Sequence, residues 1–219
     1  MGLDRLSFVL VVVAAVLVSG CDRYKGGRPE RLLYGEAAQE LTPVPKSVVT
    51  IGRILEGTTL GRRFTQCKPD GVRSDATVVE RIGAFSESLT FATADGKTLY
   101  SCDGGSDPAH EWKPPWCGAS AGRLVAGKLL DPRLDILCRD RDGHPLAYVW
   151  VDPLAGARWI GVDQGSYVEL YEVLGELPVR VATTRAIELG RARATFGITQ
   201  YDESGNGLLT GKLEATVAG

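Results

Sequence analysis

The chain has little of what catalytic and metal centres are usually built from. It holds two histidines, His110 and His144, and one methionine among 219 residues. Acid–base chemistry would have to lean on those imidazoles or on carboxylates. Neither sign of charge dominates: 25 basic and 27 acidic residues leave a net charge of -2, without the basic footprint of a nucleic-acid binder. No cysteines stand two to four residues apart as zinc sites require, the nearest pair being Cys102 and Cys117. Neither a metal nor a cofactor is therefore expected. Long apolar runs are also missing, since the longest, Phe8 to Val18, has about 11 residues where a bilayer span takes roughly 20. What is abundant is hydrophobic residues overall, at 44%, which argues against a disordered chain.

The short apolar run follows Arg5 and ends in Leu17-Val18-Ser19-Gly20-Cys21. A charged start, an apolar core and a small-residue cut site are the parts of a cleaved export signal. The five residues ending in Cys21 resemble the lipobox of bacterial lipoproteins, and the resemblance covers only the first 21 residues. It implies that the Cys21 thiol receives a diacylglyceryl group and that residues 1–20 are removed as a signal peptide. Ser19 and Gly20 keep the backbone unbulky at the cut, and two or three palmitate-class chains anchor far better than one. The implied location is the extracytoplasmic face of the cell membrane, lipid-anchored. In enterobacterial lipoproteins an aspartate after the cysteine, matching Asp22, favours retention in the inner membrane.

Residues 21–28 would form the lipidated cysteine and a short polar tether, leaving 29–219 as a mainly β ectodomain. Pro29 to Leu41 spaces Leu33, Ala37 and Leu41 at i, i+4 and stops before Pro43, which predicts one amphipathic helix. From Ser47 the pattern turns to β. Val48 to Ile51, Val78 to Phe85, Leu89 to Ala94 and Leu99 to Cys102 are runs rich in β-branched, aromatic or aliphatic residues, broken by Gly, Pro and Asp. Asp95-Gly96 predicts a two-residue hairpin turn, with Phe91 opposite Tyr100. Asp142-Gly143 repeats the device 47 residues later, between Leu134 to Cys138 and Leu146 to Trp150, which would set Cys138 opposite Ala147. That offset suggests an internal duplication, with sublobes 47–104 and 117–219. Further strands are expected at Arg158 to Val162, Tyr167 to Val173, Val179 to Thr183, Thr195 to Gln200 and Leu208 to Val217. Arg185 to Arg193 is the one other helical candidate. The class is an antiparallel sandwich or partly open barrel built from hairpins.

In an oxidising compartment Cys67, Cys102, Cys117 and Cys138 form two disulfides. Sequence leaves three connectivities open; the lean is Cys102 with Cys117, closing the loop between them, and Cys67 with Cys138.

Four constellations could carry chemistry. Gly118-Ala119-Ser120-Ala121-Gly122 has the form of a nucleophile elbow, but Lys113 to Trp116 precedes it in place of a strand, so a loop beside Cys117 is expected. Asp140, Asp142 and His144 flank a hairpin and are expected to be solvated turn residues rather than metal ligands. Asp202, Ser204, Asn206 and Gly207 begin like a calcium loop, yet the closing position holds Leu213, so a hairpin turn is expected. Trp112 and Trp116 lie near Pro114 and Pro115, offering rigid aromatic area for a sugar or peptide ligand, or else capping the core. Trp150 and Trp159, inside strand patterns, are expected in the core.

The preferred expectation is a non-enzymatic envelope module that binds a ligand or protein, contacted through Trp112 and Trp116. The alternatives are a cell-envelope hydrolase using Ser120 or carboxylates, and a structural envelope protein without a small ligand.

Overall fold

The computed structural model describes residues 48–53, 59–68, 72, 77–105, 116–130, 136–139, 143–175 and 177–216. The tether, the helix expected over residues 29–41, Cys21, His110, Trp112, Asp140 and Asp142 lie outside the described residues.

The protein is mainly β, with every described strand pair antiparallel. The first sheet runs in chain order through β1 (Val48–Arg53), β2 (Thr77–Ile82), β3 (Ser86–Ala92), β4 (Thr98–Gly105), β5 (Trp116–Val125) and β6 (Lys128–Leu129). The second has three strands in the order β11 (Val179–Thr183), β8 (Pro145–Val151), β7 (Ile136–Arg139). The third has the order β10 (Val168–Glu172), β9 (Trp159–Asp163), β13 (Arg193–Tyr201), β12 (Ile187–Glu188), with β14 (Gly207–Thr216) on the other side of β13. One helix is described, α1 (Thr59–Cys67), between β1 and β2.

The three-stranded sheet is the middle layer, and β8 shows why. Alternation sends Ala147, Val149 and Val151 to one face and Leu146, Tyr148 and Trp150 to the other, and all six are buried. A continuous apolar run is what a strand covered on both sides requires. The valine face meets Val179 and Val181 of β11, Ile160 and Val162 of β9 and Phe196 of β13 in the largest core cluster. Each such side chain contributes about 1.5–3 kcal/mol when fully buried. The aromatic face turns to the six-stranded sheet, where Trp150 packs with Leu99, Leu124 and Leu129. On the far side of that sheet α1 lays Phe64 against Val78, Leu89 and Phe91. The Phe64 and Phe91 rings meet edge to face, centroids 4.8 Å apart.

The first hairpin has the expected register, Phe91 opposite Tyr100, with rings stacked at 5.5 Å. Its turn is longer than expected. Thr93 and Thr98 close the ladder, four residues lie between them, and only Gly96 takes positive φ, at 66°. Asp95 steadies the loop by accepting the Thr93 hydroxyl at 2.6 Å and the Lys97 N–H at 3.1 Å.

The second hairpin departs from the expected register by one residue, with Cys138 opposite Leu146 and Leu137 opposite Ala147. A slip of one sends a side chain to the other face. Cys138 thereby joins Leu146 and Tyr148, while Ala147 enters the valine core. The two hairpins also differ in neighbours, and β5, expected to open a second sublobe, is instead the fifth strand of the first sheet.

The disulfides are Cys67–Cys102 and Cys117–Cys138, with Cα separations of 6.0 and 5.3 Å. This corrects the lean toward Cys102 with Cys117. Cys102 lies on the α1 side of the first sheet. Between Asp103 and Gly104 the β4–β5 register shifts, Asp103 facing Gly118 and Gly104 facing Trp116. Cys117 is the extra residue of this bulge and packs on the opposite side, against the middle layer. Arg185 to Arg193 forms no α-helix: it holds β12 and a single 3-10 turn, Leu189–Arg191.

Candidate functional site

The face of the first sheet that meets the middle layer is polar, which is unusual for a buried surface. Alternation puts Arg81 on it from β2, Ser86, Ser88 and Thr90 from β3, Ser101 and Asp103 from β4, and Ser120 from β5; all are buried. Buried polar groups must find partners or cost stability.

Most do. Asp103 faces Arg180 of β11, which donates from Nε at 3.1 Å and from Nη2 at 2.7 Å, both side chains being fully buried. Ser101 donates to the other Asp103 oxygen at 2.5 Å. The Arg180 guanidinium lies 5.0 Å from the Trp150 ring centroid and 5.6 Å from that of Tyr148, so two aromatic rings also face the charge. The Tyr148 hydroxyl donates to the Gly104 carbonyl and accepts the Glu87 N–H at 3.2 Å, and burial holds its pKa well above the usual phenol value.

A second network ties the third sheet to the β2–β3 turn. Glu169 of β10 is buried and accepts the Ala84 N–H at 2.6 Å, the Tyr171 hydroxyl at 2.7 Å and the Gln164 amide at 3.3 Å. Burial raises its pKa above the ordinary carboxyl value, and those three donors oppose the rise. The carboxylate sits so close to Gly83 that a Cβ there would overlap it.

Arg81 stands apart from both networks. Its side chain is 3% exposed, yet among the described residues it forms no ion pair. Nη1 donates to Thr90 Oγ1 at 3.2 Å, Nη2 reaches the Glu172 carbonyl at a long 3.4 Å, and Nε has no partner. The Glu172 carboxylate is close enough to favour the Arg81 charge, but its direct ion pair is with Arg158. Burial pushes the Arg81 pKa down to about 10, which still leaves the guanidinium charged at neutral pH. Holding a charge out of water without a counter-ion costs several kcal/mol.

Arg81 borders a cleft of about 520 Å3. Besides Arg81, β2 contributes Val79, β3 Thr90, β4 Leu99, and the segment after β10 Leu177 and Pro178. A cleft of that size, mostly apolar with a few polar groups, here Arg81 and the threonines Thr77, Thr90 and Thr93, is the form small-molecule sites take.

The residues singled out from sequence fall elsewhere. Trp116 opens β5 opposite Gly104, and Trp112 lies outside the described residues. Ser120 lies inside β5, opposite Ser101, where a loop was expected. A strand interior cannot supply the strained turn of an elbow, and the buried Ser120 Oγ has no hydrogen-bond partner, hence no base. His144 is exposed just before β8. Asp202 and Asn206 form the expected turn: the Asp202 carboxylate accepts the Asn206 N–H at 2.7 Å and its side-chain amide at 2.8 Å, which lowers the Asp202 pKa. Leu213 is half-buried on β14, and neighbouring Glu214 pairs with Arg193 at 2.8 Å. Trp150 is core as expected, and Trp159 is half-buried on β9.

Sequence reasoning missed Arg81. The Ser–x–Ser–x–Thr alternation of β3 and Ser–x–Asp of β4 are visible in the chain, but such a stripe ordinarily marks a solvated face. Only the arrival of β8 and β11 buries it. Comparison with family models, with curated proteins and with solved structures finds no match.

Proposed function

We propose that the chain is a bacterial lipoprotein, anchored through Cys21 at the extracytoplasmic face of the membrane, whose β domain binds a small ligand without transforming it. The cleft beside Arg81 carries this reading. It combines ligand-sized volume, an apolar lining and a buried guanidinium with an unpartnered Nε. The cleft replaces Trp112 and Trp116 as the contact surface. Two disulfides in a chain of this size suit an oxidising compartment, which supports export.

A thermal-shift screen of the mature chain in lipid nanodiscs against organic acids, phosphate esters, sugars and peptides tests the proposal. A ligand at 100 times its dissociation constant adds about 2.7 kcal/mol to the folded state, an easily resolved rise in melting temperature. The cleft reading requires that Leu177→Trp, which fills the cleft from one wall, abolish the rise. A rise that survives Leu177→Trp places binding elsewhere, and no rise with any class contradicts small-ligand binding.

A further inference from the structure

The cleft and the charge beside it restrict what the ligand is. We infer that the ligand is a small organic oxyanion, a carboxylate or a phosphate monoester on a compact apolar body, whose oxygen pairs with Arg81. This rests on the binding reading above and adds the ligand's chemical class to it.

The argument is one of unmet demand. Arg81 presents five N–H donors, of which two meet protein acceptors, at 3.2 and 3.4 Å, and the Nε–H meets none. Asp103 neutralises the neighbouring buried arginine, Arg180, through two hydrogen bonds, whereas Arg81 has no such acid among the described residues. The same sheet face thus carries one arginine neutralised through two direct hydrogen bonds and one that feels the Glu172 charge but forms no direct ion pair among the described residues. Planar guanidinium donors match carboxylate and phosphate oxygens, and burial strengthens the pairing. The rest of the cleft sets the other half of the ligand. Val79, Ala92, Leu99, Leu177 and Pro178 line it, with the threonines Thr77, Thr90 and Thr93 and no further charge, so the body attached to the oxyanion is largely apolar.

Isothermal titration of the mature chain in lipid nanodiscs with three water-soluble probes tests this: 4-phenylbutyrate, phenethyl phosphate, and the neutral 4-phenylbutanol. The same titrations are run on Arg81→Gln, Arg81→Lys and Leu177→Trp, and on empty nanodiscs to subtract partitioning. At least one of the two anions should bind tenfold or more tighter than the alcohol; which one does separates the carboxylate from the phosphate source. Arg81→Gln should weaken the anion at least tenfold and leave the alcohol within about twofold, with Arg81→Lys in between. If Arg81→Gln does not fold, the wild-type ratio of anion to alcohol decides alone. Equal affinity for anions and alcohol, removed by Leu177→Trp, overturns the oxyanion inference while leaving the cleft as a binding site. Absence of binding by all three overturns both.

Discussion

Arg180 and Asp103, 77 residues apart, meet through two hydrogen bonds at zero exposure and join the middle sheet to the first. Removing one partner leaves the other charge buried without that ion pair. Asp103→Asn is expected to lower unfolding stability by about 3–5 kcal/mol, and Arg180→Met by a similar amount. Combining Arg180→Met with Asp103→Asn should cost less than the two single changes added together. Urea denaturation of the four proteins measures this, and additive losses would show that the pair is not coupled.

The strands were legible because their signals are local. Runs of β-branched residues broken by Gly and Asp placed β1 to β4, β7 to β11, β13 and β14, though not β5, β6 or β12, and Asp95-Gly96 set the Phe91–Tyr100 register. What escaped depends on distant partners. The α1 sequence holds Gly61 and two arginines, and the helix is fastened by Phe64 packing on Val78 and by the Cys67–Cys102 bond rather than by local preference. A single bulge at Cys117 turned that side chain away from Cys102, and no spacing rule foresees a bulge. Arg81 sits in a strand whose two faces look alike in sequence, so nothing local marks which of its side chains would end beside a cleft.

The disulfide assignment has a chemical readout. Non-reducing peptide mapping should recover Cys67 linked to Cys102 and Cys117 linked to Cys138. With sequence separations of 35 and 21, each bond is expected to contribute about 3–4 kcal/mol by limiting the unfolded chain. Recovery of Cys102 linked to Cys117 would contradict the bulge geometry.

Glu169 makes stability depend on pH with a definite sign. Its folded-state pKa is raised, so the fold favours the protonated acid. That contribution is full below the unfolded value of about 4.3 and is lost as pH rises through the folded value. Glu169→Gln removes the titration. The stability of Glu169→Gln relative to wild type should therefore improve between pH 4 and pH 7, as followed by thermal melts. A difference that stays constant, or moves the other way, would contradict a raised pKa.

Membrane attachment is expected to hang on one sulfur. Metabolic labelling with a palmitate analogue should mark the wild-type chain, and Cys21→Ala should lose both the label and the membrane fraction. Label retained in Cys21→Ala would move the anchor elsewhere.

Hydrogen-exchange mass spectrometry of the mature chain in nanodiscs, with and without the tightest organic acid, tests the central claim most directly. Binding beside Arg81 predicts slowed exchange confined to peptides covering residues 77–82, 88–94 and 174–178, and its loss in Leu177→Trp. Protection centred instead on residues 110–117 would return the site to Trp112 and Trp116 and contradict the cleft.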